Sequence, residues 1–312
     1  MRRTAVVTAV LAILGLLSVA AQAVVLKYAP AKGQSSNYHD VIKLAMQTSF
    51  GGTEAADMGS GPMNMQMAYD ATTAVKVLGV DDKGNYDVEV SIVSGTYSVT
   101  MAAPGMESGS GKDQGAVPKL RYQLKINPRG EVIGVKGGSA RGGGAMGMAQ
   151  MFGMGEQENF FISYTHPLPN KEVSVGDKWT SKVKLPPTPA RRGGEEAAPQ
   201  YAVFTSKLVS LTTLRGRQVA KIHTDGVIPM NLGEMFSAED LEGSKTEAGG
   251  QVTVSSDWYY DYQQSLVVQD EGTMSIQVSA TATPLSEQGG GSFEITMRGK
   301  ANGKSTLTEK AN

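Results

Sequence analysis

The sequence predicts a mainly β protein: two related antiparallel β-sheet modules, half-barrel or sandwich-like, with a short Met-rich helix between them. Three observations carry this. Apolar and polar residues alternate at period two over long stretches, the pattern of strands with one buried and one wet face. Turn sequences rich in Gly, Pro, Asn and Asp separate the alternating runs. One stretch, Gly142–Gly155, breaks the alternation with methionines at helical spacing.

Ahead of the first strand, Arg2 and Arg3 precede an apolar run from Ala5 to Ala20, and Ala21-Gln22-Ala23 follows as a small-x-small site. Basic, apolar and small-residue regions in that order define a secretory signal peptide over residues 1–23, with the mature chain starting at Val24. The run is shorter than the ~20 apolar residues that span a bilayer. No later run is longer, so the expectation is an exported protein, periplasmic or extracellular, with no transmembrane anchor after cleavage. The chain has no cysteine, so neither disulfides nor a lipid attached through cysteine is expected. Packing and sheet hydrogen bonds must then supply the stability. Lys+Arg at 29 nearly balance Asp+Glu at 30. No basic stripe interleaves with aromatics, which argues against a nucleic-acid partner.

The first module spans residues 24–137. Met63, Met65 and Met67, followed by Tyr69, alternate with Asn64, Gln66 and Ala68, so the three thioethers furnish one face of a strand. Tyr86, Val88, Val90 and Ile92 form the apolar face of the next run, but beyond Gly95 the apolar set is Tyr97, Val99 and Met101. The parity has switched, which predicts one extra residue within Val93–Gly95, as a β-bulge or bend. Leu120, Tyr122, Leu124 and Ile126 lead into the turn Asn127-Pro128-Arg129-Gly130, and the chain returns at Val132. The Gly/Ser-rich stretches 51–61 and 104–115 read as exposed or disordered insertions.

The connector, residues 138–158, holds Met148, Met151, Phe152 and Met154 at i, i+3, i+4 spacing. Gly147, Gly153 and Gly155 weaken such a helix by about 1 kcal/mol each relative to Ala. It must therefore pack on something, and its Met/Phe face is expected to cover an apolar surface of the sheet, since unbranched Met adapts to irregular gaps.

The second module spans residues 159–312 and repeats the order of the first. Val203–Leu214, Arg215-Gly216 and Arg217–Thr224 form strand, turn and strand; Val252, Val254, Trp258, Tyr260 and Tyr262 share one parity, and so do Met274, Ile276 and Val278, and Phe293, Ile295 and Met297. A last hairpin is expected from Ser292–Arg298 and Lys304–Glu309. The Pro-rich insertion 186–199, with its Arg-Arg-Gly-Gly-Glu-Glu core, reads as a solvated loop.

No catalytic residue is indicated. His39, His166 and His223 are far apart in sequence, with no carboxylate or second His at a metal-ligand spacing, and the zincin, nucleophile-elbow and P-loop motifs are absent. Asp81-Asp82-Lys83-Gly84-Asn85 lacks the ligand spacing of a calcium loop and reads as a hairpin turn. Copper(I) favours thioether ligands, so a methionine-based copper site is an alternative, although spacing alone supplies no convergent geometry.

Leu26-x-Tyr28…Lys32-Gly33, followed by Pro167-x-Pro169…Val173-x-Val175-Gly176-Asp177-x-Trp179, resembles a group of uncharacterised exported bacterial proteins. These carry an opening Lys-Gly strand and a mid-chain Pro…Val-Gly-Asp-x-Trp motif. Many members look like lipoproteins, and this chain departs from them by lacking the lipid-attachment cysteine. A curved antiparallel sheet covered by a short helix is also similar, at the level of fold, to half-barrel periplasmic lipoprotein carriers.

The expectation is thus a non-enzymatic cell-envelope protein without a cofactor. Met63, Met65, Met67, Met148, Met151 and Phe152 would face a hydrophobic small molecule or lipid. The alternatives are a closed structural or interaction module docking an envelope protein, and copper(I) binding through the methionines.

Overall fold

The computed structural model describes residues 23–52, 61–103, 111–117, 119, 121–137, 167–185, 200–230, 244–284 and 292–309. The strands are β1 (Val24–Leu26), β2 (Ser35–Gly52), β3 (Met63–Val80), β4 (Tyr86–Ala102), β5 (Gly111–Ala116), β6 (Arg121–Ile126) and β7 (Val132–Gly137). They continue as β8 (Lys171–Val173), β9 (Lys178–Lys184), β10 (Tyr201–Leu214), β11 (Arg217–Met230), β12 (Ser244–Asp261), β13 (Leu266–Pro284) and β14 (Phe293–Glu309). As the alternation predicts, the protein is mainly β and its strand pairs are antiparallel. No helix occurs among the described residues, and none is long and apolar enough to cross a membrane. The expected helix at 138–158, with Met148, Met151 and Phe152, lies outside the described residues, as do the insertion 186–199, His166 and residues 1–22.

The stretches expected as two modules are hydrogen-bonded into one sheet of twelve strands, in the order β7-β6-β4-β3-β2-β14-β13-β12-β11-β10-β9, with β5 added on β4. The seam between the halves is the β2–β14 ladder, from Gly52 opposite Phe293 to Asn37 opposite Glu309. The predicted bulge is present: Thr72 pairs Ser94 and Thr73 pairs Ile92, which leaves Val93 as the extra residue.

Two expectations are corrected. No hairpin divides residues 292–309: β14 runs unbroken, with Gly299 opposite Met46 and Ile276, and Gly303 opposite Ile42 and Gly272. Both glycines stay extended because full ladders on either side satisfy the strand's backbone groups. Within 104–115, residues Gly111–Gly115 are not an insertion, since they form most of β5 along Tyr97–Met101 of β4.

The tight turns gather at one end of the sheet. Asp81–Asn85 joins β3 to β4, Asn127–Glu131 joins β6 to β7, and Arg215-Gly216 joins β10 to β11. Asp81 builds its turn as expected: its carboxylate accepts from the amides of Lys83 and Asn85, both at 2.9 Å. The Asn127 carbonyl accepts from Gly130 N–H at 2.8 Å, as the Asn-Pro-Arg-Gly sequence implies.

The small sheet β1–β8 bridges this end. Leu26 and Leu168 are fully buried, packed with Trp179, Leu208, Ile222, Trp258 and Tyr260. The turn between β6 and β7 is held from both sides: Tyr28 N–H donates to the Pro128 carbonyl at 2.8 Å, and Leu168 N–H to the Arg129 carbonyl at 2.7 Å. Arg129 Nη2 then reaches Ser181 Oγ of β9 at 2.5 Å. Chain near one margin of the open sheet is thereby tied to the opposite margin.

Candidate functional site

Because the side-chain period of a strand is two, the pairing register stacks one face of the sheet into rows that cross many strands. On the inner face, Gly226, Val254, Met274, Ala301, Leu44 and Met67 stand in one row. The next row is Val252, Ile276, Gly299, Met46, Met65 and Met101. The third is Gly250, Val278, Met297, Thr48 and Met63. Three rows span about 14 Å along the strands at ~3.4 Å per residue. Apart from Thr48 the residues named carry no side-chain hydrogen-bonding group, but the first row continues past Gly226 through Phe204 to Ser181 of β9; the second and third rows lie at the end away from the tight turns.

Six methionines converge there. Met46, Met65 and Met297 are buried, and Met67, Met230 and Met274 pack against them in the same cluster. Met63 is half-buried at the rim. Of the site residues read from the sequence, Met63, Met65 and Met67 thus share the inner face of β3. Period two revealed that face, but not that Met46, Met230, Met274 and Met297 arrive beside it from four other strands. Only the register does that. Gly226 belongs to the packing: a Cβ there would stand 2.6 Å from both Phe204 Cδ1 and Val254 Cγ2, so these side chains close over the bare backbone.

Below the apolar rows the chemistry changes. The next row reads Ser206, Thr224, Ser256, Gly272 and Gly303. Ser206 and Thr224 are buried and share a 2.8 Å hydrogen bond, and Trp258 Nε1 donates to Thr224 Oγ1 at 2.9 Å. One row further, Trp258, Asp270, Ser305 and Asp40 are register neighbours. Ser305 Oγ donates to Asp40 Oδ1 at 2.6 Å. Tyrosines crowd this end. Burial, with Asp40 nearby, pushes the Tyr69 hydroxyl up to about 12, and burial above all raises Tyr28, Tyr38 and Tyr260. These phenols stay protonated, and Tyr260 donates its hydroxyl to the Lys27 carbonyl at 2.6 Å.

The two described histidines sit elsewhere, at partly exposed strand positions. His39 Nε2 lies 2.9 Å from Asp70. His223 Nδ1 is 2.8 Å from Asp257 and its Nε2 3.3 Å from Asp225, while Lys221 Nζ is 2.9 Å from Asp257. Burial pulls the Asp257 carboxyl upward, but the hydrogen bonds from Lys221 and His223 outweigh it and the net shift is down. The sequence hid Asp70 and Asp257 because they come from neighbouring strands, whereas Asp225 stands two residues along β11 from His223 and was legible as His223-x-Asp225. Among the described residues no group of three His, Asp or Glu side chains is placed to hold a metal ion.

The Leu26–Gly33 and Pro167–Trp179 segments meet in the structure. Val24 pairs Val173 and Leu26 pairs Lys171. Gly176, at a φ of 99°, turns the chain where a side chain would be strained. Its N–H donates to the Leu208 carbonyl at 2.8 Å, and Leu208 N–H donates to the Asp177 carbonyl at 3.0 Å. Trp179 Nε1 donates to the Pro167 carbonyl at 2.8 Å. Both motifs build the bridge that closes the tight-turn end. No protein-family model matches this chain, and no curated protein matches its sequence.

Proposed function

We propose that this chain is an exported, non-enzymatic protein of the cell envelope that holds a hydrophobic or lipid-like ligand against the inner face of its curved sheet. The observation that carries this reading is the three successive apolar rows with seven thioethers among them. Stability alone is served by branched aliphatic side chains with defined rotamers. Unbranched, polarizable methionine suits a surface that repacks around a guest. The export reading rests on the Arg2–Ala23 leader.

One observation favours a second reading, a closed core that serves a protein partner: Met46 and Met65 are each only 5% exposed. Native mass spectrometry of the mature protein, purified from its own envelope, separates the two. A co-purifying apolar mass released by mild activation supports the ligand reading. Bare protein mass, together with no uptake of an environment-sensitive apolar dye, removes it. Copper(I) binding is a third reading, favoured by the cross-strand neighbours Met46, Met65 and Met101. Competition against a colorimetric copper(I) chelator tests it; an unchanged affinity in Met65→Leu rules that site out.

A further inference from the structure

Independently of what the inner face holds, we propose that the outer face of the sheet docks a linear polymer of phosphate-linked units, centred on Arg298, Lys300 and Lys43 where β14 meets β2.

Charge is segregated on this face. From β11 to β3, one outer row reads His223, Asp257, Glu271, Lys304, Val41 and Asp70. Its carboxylates are all matched: Asp257 by Lys221 and His223, Glu271 by Lys304 at 3.1 Å, and Asp70 by His39 at 2.9 Å. The next three outer rows, away from the tight turns, differ. Among their described side chains stand five exposed cations, Lys43, Lys182, Lys184, Arg298 and Lys300, and one carboxylate, Asp225. Asp225 is itself engaged by Ser255 and His223. None of the five cations forms an ion pair among the described residues.

The cluster at the seam is close-set. Arg298 stands opposite Gln47, Lys300 opposite Ala45 and Asn302 opposite Lys43. Lys43 is therefore the diagonal neighbour of Lys300, about 7 Å away, and Arg298 is the next side chain along the same face of β14, again about 7 Å away. Like charges at such spacing repel one another, and they do so in a chain whose net charge is −1. Lysines on an edge strand such as β9 guard against stray strand pairing. β14 and β2 are paired on both sides, so edge protection does not account for this cluster. A partner with repeating negative charge turns the repulsion into attraction.

The shape of the face selects the form of that partner. Val99 of β4 and Val183 of β9 share one core cluster although seven strands separate β4 from β9. The sheet thus wraps its inner face, and the outer face is convex. Lys182 and Lys184 on β9 lie five strand spacings from Arg298 and Lys300, about 24 Å along the curve. A flat bilayer touches a convex sheet along one line, whereas a flexible polymer follows the curve from one cationic group to the other. Between the groups, Gln251, Thr273 and Gln277 are exposed, and their amide and hydroxyl groups donate to phosphate oxygens. Among the described side chains of these three rows Tyr201 is the one aromatic. The bases of a nucleic acid would find almost nothing there to stack on, so the chemistry favoured is phosphate joined to a sugar or polyol.

The probe is linear poly(glycerol phosphate), titrated calorimetrically into the mature protein. Saturable binding that weakens steadily as salt rises is expected, with a loss of ~tenfold or more in the triple variant Lys43→Gln, Arg298→Gln, Lys300→Gln. Lys304→Gln removes a cation that Glu271 already occupies and should change affinity by no more than about twofold. Thermal unfolding monitors the fold of each variant. If the triple variant fails to fold, Lys182→Gln with Lys184→Gln decides, with a several-fold loss expected. No saturable binding by the unsubstituted protein overturns the proposal. So does a loss in Lys304→Gln as large as in the triple variant, or full affinity in the folded variant that decides. Vesicles of phosphatidylglycerol present the same glycerol phosphate on a flat surface, and single-stranded DNA adds bases to a phosphate chain. Tighter binding of either, at matched phosphate concentration, overturns the choice of polymer.

Discussion

The backbone amide of Tyr28 donates to the carbonyl of Pro128 at 2.8 Å. This bond ties the segment leaving β1 to the turn between β6 and β7, and the same turn extends Arg129 to Ser181 on β9. Curvature of the long sheet is thus held at one end by a bridge rather than by a continuous ring of strand pairs. The Arg129 contact falls at the level of the first apolar row, since Ser181 is the register partner of Phe204 and Phe204 pairs with Gly226.

Arg129 is the first place to test that arrangement. Its Nη2 lies 2.5 Å from Ser181 Oγ and 3.3 Å from Glu131 Oε1, and the Glu131 side chain is only 13% exposed. Arg129→Ala should cost about 1–3 kcal/mol, because it leaves a largely buried carboxylate with only Asn127 as partner. Urea unfolding should show a lower midpoint with an unchanged slope. Ser181→Ala should cost clearly less, since Arg129 keeps Glu131.

The Val175-Gly176-Asp177-x-Trp179 segment builds the bridge between β8 and β9, so its variants should lose stability first. Gly176→Ala must place a side chain at a φ of 99°, a cost of about 1–2 kcal/mol. Trp179→Phe removes the 2.8 Å bond to Pro167 O and should cost about 1–2 kcal/mol. Thermal unfolding followed by circular dichroism checks both. Unchanged melting with lost ligand uptake would instead assign the motif a direct binding role.

Met65 and Met101 face each other across β3 and β4, one 5% and the other 40% exposed. Met65→Ala should cost about 2–5 kcal/mol by opening a cavity among Leu44, Met46 and Val99. Met101→Ala should stay within about 0.5 kcal/mol. Equal losses would show that Met101 belongs to the same closed packing. Chemical denaturation of the two variants side by side decides it.

Acid should act on the turn between β3 and β4. The hydrogen bond from Lys125 at 2.8 Å, with those from Asn85 and Lys83, holds the Asp81 carboxyl well below its ordinary value. A carboxyl depressed on folding stabilises the fold above its unfolded pKa, and that contribution fades as pH falls through the folded value. Asp81's share should therefore be intact at neutral pH and fade progressively as pH drops below about 4. Asp81→Asn should flatten that part of the stability-versus-pH curve while leaving the curve between neutral and mildly alkaline pH parallel to wild type.

Sequence alone determined the strand character, the shared parity of Met63, Met65 and Met67, an extra residue within Val93–Gly95, and the turns at Asp81–Asn85 and Asn127–Gly130. All of these are local: period two, chain reversal and a change of parity are written in neighbouring residues. It misread Gly299–Gly303 as a turn, because a glycine inside a fully paired strand and one at a bend look alike until both flanking ladders are known. Only the tertiary structure decided that β2 pairs with β14 and joins the two halves into one sheet. Only it decided that methionines from five strands share one apolar zone, and that His223 meets Asp257. These depend on which distant strands align and in what register, and that is settled by packing and hydrogen bonding summed over the whole sheet, not by any one segment's pattern.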